Sequence, residues 1–200
     1  MKTLSLTRED IYKGTLLLVN QSHPLNDTLV RQSIALVPIE GHAQVQLASC
    51  PAVLFTALVH DCQAQGQIIP VSGYRDRREQ QRIYVDSLYE HGDTFTRQFV
   101  ALPNCSEHQT GLAIDVGQAM DSIDFLCPAF PYEGICQQFR QKAATYGFIQ
   151  RYSKDKEPVT GIAHEPVSYT HLDVYKRQRR TSMPANACTK RFFSVKFTDI

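Results

Sequence analysis

The decapeptide Ser106-Glu-His108-Gln-Thr-Gly111-Leu-Ala113-Ile-Asp115, continued by Val116, carries the decisive signal of this chain. From Gly111 onward it alternates strictly. Leu112, Ile114 and Val116 fall on one side of an extended strand and Gly111, Ala113 and Asp115 on the other. An imidazole thus sits in the loop before a strand whose opposite face carries a carboxylate, with only glycine and alanine between them to fill the space above. Neutral imidazole and carboxylate oxygen are both good zinc ligands at about 2.0–2.2 Å, and Gly111 can supply the bend that brings residues seven apart onto one ion. Read as bare residues, the pair is better explained as a loop histidine and a turn or capping aspartate.

Working outward, Gln67-Ile-Ile-Pro-Val-Ser-Gly73 reads as a strand ending in a glycine turn. Arg77 to Tyr89 reads as an amphipathic helix with Ile83, Val85 and Leu88 on its apolar side. The chain from Val45 to Cys62 begins as a strand and continues as a helix, with Pro51 near its start and Val53, Leu54, Ala57, Leu58 and Cys62 at helical spacing. Thr15 to Val19 predicts a short buried strand before the turn at His23-Pro24. Glu133 to Tyr146 predicts a helix closed by Gly147, followed by the strand Phe148-Ile-Gln-Arg-Tyr152. Strands and helices are interspersed without a regular βαβ repeat, which predicts an α+β fold: one compact domain with a small antiparallel sheet and flanking helices around a cleft.

Bulk composition narrows the function only by exclusion. The 200 residues suit one domain, and the formal charge of +1 gives no pull toward nucleic acid or an anionic membrane. The first fourteen residues place charges on both sides of their few apolar groups, and Leu16 to Val19 is too short for a signal-peptide core or a membrane span, so a cytoplasmic protein is expected. Six cysteines occur without a C-x-x-C pair, which predicts reduced thiols.

Ser-x-His-x-x-Gly-x-Ala-x-Asp over residues 106–115 resembles the zinc signature of the D-alanyl-D-alanine metallopeptidases, which include the VanY-type carboxypeptidases and VanX-type dipeptidases. Ser72-Gly73-Tyr74-Arg75 with Gln80 is similar to a second segment of that family. Tyr146-Gly-Phe-Ile-Gln-Arg-Tyr152, Lys154, Lys156, Thr160-Gly161-Ile162 and Glu165-Pro166 resemble the approach to its Glu-Pro-Trp-His motif. The likeness spans about residues 17–166 and is greatest to the bifunctional VanXY-type dipeptidase/carboxypeptidases. It implies Zn2+ as cofactor, held by His108 and Asp115, with Glu165 as general base and Arg75 stabilising the oxyanion. Ser106, Tyr74 and Gln80 would contact substrate. The implied substrates are peptides or peptidoglycan precursors ending in D-Ala-D-Ala, with no nucleic acid partner and no membrane span. Two alternatives stand beside hydrolysis of that bond. One is a catalytically impaired module that still binds peptidoglycan stems through Ser106, Arg75 and the loop over 91–105; the other is a cell-wall endopeptidase of the same family.

The pattern departs after Pro166. Where the family has Trp and then a third zinc-ligating His, this chain has Val167 and Ser168. Val167-Ser-Tyr-Thr-His-Leu-Asp-Val-Tyr-Lys-Arg-Gln178 resembles a translated adaptor sequence attached to unrelated genes. The expected organisation is therefore a catalytic domain over 1–166, C-terminally incomplete, and a non-native or chimeric tail over 167–200 that packs poorly. His164 and His171 are the nearby substitutes for the absent ligand. In an extended segment His164 points away from Glu165, and His171 lies three residues too far along.

Overall fold

The computed structural model describes residues 17–25 and 35–172. Among the described residues a two-stranded antiparallel hairpin comes first, β1 (Leu36–Ile39) with β2 (His42–Ala48). Helix α1 (Ser49–Asp61) follows without a linker. Pro51 falls in its first turn, where an absent N–H costs no intrahelical bond. The buried face of α1 is Pro51, Ala52, Phe55 and Leu58, with Cys62 just beyond. This corrects the sequence expectation at one position, since Val53 is 60% exposed. Phe55 faces inward in its place because its ring meets Phe139 and Phe148 edge to face, at 6.1 Å from each.

The main sheet is antiparallel throughout, with spatial order β3-β4-β6-β5. Its strands are β3 (Ile68–Ser72), β4 (Ala113–Gln118), β5 (Phe148–Tyr152) and β6 (Glu165–His171). Leu112, Ile114 and Val116 are buried on one side as the alternation predicts, and Ile114 and Val116 join the core. Helix α3 (Gly134–Ala143) continues into a 3-10 turn ended by Gly147 at φ 81, the left-handed stop expected from the sequence. Phe130, Phe139 and Tyr169 complete the aromatic core, with ring centroids 5.3 to 6.3 Å apart. A short helix α4 (Glu157–Thr160) leads into β6.

Helix α2 (Arg77–Phe99) starts where Asp76 accepts a hydrogen bond from the Glu79 N–H at 2.7 Å. It runs ten residues past Tyr89 and is broken at Gly92, whose φ of 81 interrupts the helical geometry. Its fully buried residues are Gln80, Ser87 and Thr96; of the expected apolar side Ile83 and Leu88 are half-buried, and Val85 is half exposed. The kink makes the polar interior possible, because it lets the Ser87 and Thr96 hydroxyls meet at 2.8 Å.

Two further expectations are corrected. Residues 17–19 are not in a strand, although Val19 is buried; Asn20 instead closes a turn, its side-chain oxygen accepting from the N–H of Ser22 and His23. Residues 15–16 lie outside the described residues. More consequentially, the chain past Pro166 does not pack poorly as far as it is described. Val167, Ser168, Tyr169 and His171 are buried in β6, between β4 and β5. Residues 173–200 lie outside the described residues, as does the amino-terminal segment read for a leader. Among the described residues no helix is long and apolar enough to cross a membrane. The five described cysteines form no disulfide.

Candidate active site

The cleft is built by clasping one turn against one loop. At the end of β3 the chain turns through Gly73 so closely against β2 that a Cβ there would lie 2.3 Å from the Gln46 carbonyl oxygen. The Tyr74 N–H donates to that same oxygen at 2.7 Å. The turn presents the Gly73 carbonyl to His108 Nδ1 at 2.6 Å, and the Arg75 N–H reaches the His108 carbonyl at 3.3 Å. His108 itself rides on one turn of 3-10 helix, Glu107–Thr110, ended by Gly111 at φ 69.

A carbonyl oxygen can only accept, so His108 Nδ1 carries the proton in this contact. Its Nε2 then faces Asp115 Oδ2 at 3.1 Å. A ring nitrogen turned to a carboxylate with its other nitrogen fixed by a backbone carbonyl is the arrangement of a metal-ligating histidine and its neighbour ligand. Arg75 Nη2 approaches the same Asp115 oxygen at 3.5 Å. Burial alone would push the Asp115 carboxyl up; the His108 ring first, then Arg75 and the Ser168 hydroxyl, outweigh it and hold it down at about 2.

Across the sheet Asp115 on β4 pairs directly with Ser168 on β6. Ser168 Oγ lies 2.6 Å from Asp115 Oδ1 and 2.8 Å from Glu165 Oε2. A hydroxyl has one hydrogen and cannot donate to two carboxylates. One carboxyl must therefore bring its own proton. Glu165 is that one: burial, with the Asp115 charge adding to it, pushes its carboxyl up to about 8. The protonated Glu165 donates to Ser168, and Ser168 donates to Asp115.

The cleft, about 490 Å³ including its open side, is lined by Arg75, Gln80, Ser106, His108, Asp115, Glu165 and Ser168. Tyr152 joins them, along with an apolar rim of Phe99, Phe125 and Leu126. Arg75 Nε and Gln80 Oε1 are buried without a hydrogen-bond partner among the described residues. One is a donor and the other an acceptor, a set complementary to a peptide group. Of the residues expected to bind metal, act in catalysis or contact substrate, Tyr74 alone does not line the cleft; its backbone anchors the turn. Tyr152 was missed. The only signal for it is its place at the end of a strand read for packing alone.

His108 and Asp115 fit a zinc ion as ligands, but the set stops at two. Among the described residues no three His, Cys, Asp or Glu side chains are grouped to hold a metal. Ser168 occupies the third position, and its neutral hydroxyl is engaged by two carboxyls. Neither substitute reaches the cleft. His164 stacks on Tyr132, bonded to its hydroxyl at 2.9 Å. His171 is buried on the core side of β6, against Phe148 with ring centroids 5.0 Å apart. The residues present do not complete a three-ligand site.

Comparison with known proteins bears on this geometry. The bifunctional D-Ala-D-Ala dipeptidase and D-Ala-D-Ala carboxypeptidase VanXYC of Enterococcus gallinarum is 40% identical over 174 residues, covering 84% of this chain and 91% of the relative. The crystal structure of the vancomycin resistance D,D-dipeptidase VanXYg with a D-Ala-D-Ala phosphinate analog superposes with a TM-score of 0.78 at 47% identity, over 86% of this chain and 67% of that one. A VanY D,D-pentapeptidase mutant from the VanB-type resistance cassette, in complex with Zn(II), matches with a TM-score of 0.65 at 26% identity, over 79% and 88%. The model of the family described as VanY, D-alanyl-D-alanine carboxypeptidase, matches residues 44–172 and so extends across all of β6. The clasped His108 loop, the Asp115 strand and the chain through His171 all fall within that match: this chain belongs to the VanY family of D-alanyl-D-alanine carboxypeptidases.

Proposed function

We propose that the chain is a D,D-peptidase fold whose cleft takes the D-Ala-D-Ala terminus of a peptide or peptidoglycan precursor, and whose hydrolytic competence turns on the residue at position 168. The observation that carries this reading is the convergence of His108, Asp115, Glu165 and Arg75 on one cleft. Arg75, with Nε unpaired, holds the oxygen on which charge builds during attack at a carbonyl, and a fixed guanidinium does so without reorganising. Glu165 is placed to exchange a proton with an attacking water. Gln80 Oε1 accepts from a substrate N–H, and Ser106 lines the same wall. Zn2+ is the cofactor for which His108 and Asp115 are the ligands. With Ser168 as third neighbour the chain supplies two of the three protein ligands a catalytic zinc needs.

A second reading, that of a stem-binding module without turnover, is favoured by the Glu165–Ser168–Asp115 hydrogen-bond chain, which satisfies the cleft's acidic groups without a metal. The deciding experiment combines metal analysis of purified protein with calorimetric binding of a D-Ala-D-Ala phosphinate and with D-Ala release from D-Ala-D-Ala and from a stem pentapeptide. Release supports the peptidase reading; binding without release supports the module. Absence of both sinks the assignment of the cleft.

A further inference from the structure

Glu107, the unspecified residue in Ser-x-His, is a buried carboxylate that the proposed chemistry does not use. We infer that Glu107 is a positioning residue that sets the tilt of the His108 loop against the two strands supplying the far wall of the cleft; this rests on the reading of His108 as a metal ligand. Its side chain is buried. Oε1 takes the Arg151 Nε–H of β5 at 2.5 Å, and Oε2 takes the Thr170 hydroxyl of β6. Thr170 stands opposite Ala113 on β4 and Ile149 on β5, so this one carboxylate ties the loop to the middle of the sheet. Its own carbonyl accepts from Thr110 Oγ1 at 2.5 Å, and Thr110 Oγ1 accepts the Leu112 N–H at 3.1 Å, which stiffens the turn from within.

The loop needs this support because a single 3-10 turn has no strand ladder of its own. On its other side it is held by backbone bonds, Ala48 N–H to the Gly111 carbonyl at 2.9 Å and Arg75 N–H to the His108 carbonyl at 3.3 Å. On the side of β5 and β6, whose strand β6 carries Glu165 and Ser168, Glu107 is the side-chain tie beside one backbone bond, from the His171 N–H to the Leu112 carbonyl at 2.9 Å. A buried ion pair is a poor source of net stability, since desolvation offsets attraction, but it fixes geometry well because both partners are costly to leave unpaired. Moving His108 by an ångström would separate Nδ1 from the Gly73 carbonyl and Nε2 from Asp115 together.

The test compares E107Q and E107A with the parent and with F139L, a core variant whose ring packs on Phe55, Phe130 and Tyr169 and which should lower the unfolding midpoint while leaving the Glu107 contacts in place. Two readouts are taken: the His108 ring tautomer, from long-range nitrogen–proton correlation spectra, and zinc affinity by calorimetric titration with zinc chloride alone. The expected result is that F139L keeps the parent's ring-nitrogen spectrum of His108, with Nδ1 protonated toward the Gly73 carbonyl, whereas E107Q and E107A change that spectrum and lose at least about 10-fold in zinc affinity. T170V and R151M, which each remove one tie, carry the same test if E107A does not fold, and each should give part of the change. A parent-like His108 spectrum in E107Q overturns the proposal whatever happens to the midpoint. If the parent takes up too little zinc to titrate, as two ligands alone would allow, the affinity comparison is made on the S168H background, where no uptake sinks the ligand reading of His108; the ring-nitrogen spectrum of E107Q decides the positioning role by itself.

Discussion

Replacing Glu165 by glutamine tests the proton count in the cleft. The E165Q variant would keep the shape and a donor toward Ser168 but cannot ionise at this position. In the folded protein Glu165 is pushed from an ordinary 4.5 up to about 8. A raised folded value means that the fold favours the protonated form. The stabilisation is fully present below about 4.5 and is lost as pH rises through about 8. At about 1.4 kcal/mol for each tenfold change in proton affinity, the parent should lose at most about 4 kcal/mol relative to E165Q between pH 5 and pH 9. That is a large share of a typical domain stability of about 5–15 kcal/mol. Asp115, held down at about 2, loses its contribution only in acid below 3.8 and does not interfere in this window. The assay is urea unfolding of both proteins at pH 5, 7 and 9 with a chelator present, so that groups common to both cancel in the difference. A difference that stays flat from pH 5 to pH 9 refutes the assignment of the proton to Glu165.

Three further outcomes follow from the same geometry. S168H should raise zinc affinity by about 100-fold or more, because it adds an imidazole opposite Asp115; metal stoichiometry and D-Ala release measure it. R75M should leave the unfolding midpoint at or above the parent's, since it removes a buried charge with a weak 3.5 Å partner, yet weaken phosphinate binding by about 10–100-fold; unchanged affinity would remove Arg75 from the substrate site. G73A should cost about 2 kcal/mol or more in thermal unfolding, because its Cβ would meet the Gln46 backbone oxygen at 2.3 Å and that backbone cannot step aside cheaply.

Much of the fold was legible because alternation and capping are local. Gly111 to Val116 declared a strand with a core face and a cleft face, and Gly147 declared a helix end. What was not legible came from tertiary choice. In α1 both Val53 and Phe55 could sit inside on periodicity alone, and the aromatic ring wins because Phe139 and Phe148 are there to meet it. In α2 an apolar side was read from Ile83, Val85 and Leu88, yet the kink at Gly92 turns Ser87 and Thr96 inward as a hydrogen-bonded pair. A helix interior satisfied by side-chain hydroxyls leaves no hydrophobic signature to read.

The site was legible in its residue types and misread at its far wall. His108, Asp115, Glu165 and Arg75 do meet in one cleft, which spacing and resemblance suggested. The misreading was to take the chain from Val167 onward as a tail that packs poorly. Val167-Ser-Tyr-Thr-His171 alternates: Tyr169 and His171 meet the aromatic core, while Ser168 and Thr170 turn to Asp115 and Glu107. That is a period-two strand, and its register is fixed twice, by β4 and by β5. A one-residue slip would turn Tyr169 out of the core, at a cost of several kcal/mol for a buried aromatic. Whatever side chain stands at position 168 is therefore delivered to the cleft opposite Asp115. The shortfall at the proposed metal site is one of side-chain chemistry and not of backbone, so a single replacement at 168 is a fair trial of the whole catalytic reading. If S168H, on a strand already built and in register, binds zinc and releases no D-Ala from any D-Ala-D-Ala peptide, the cause must be sought in the roles given to Glu165 and Arg75.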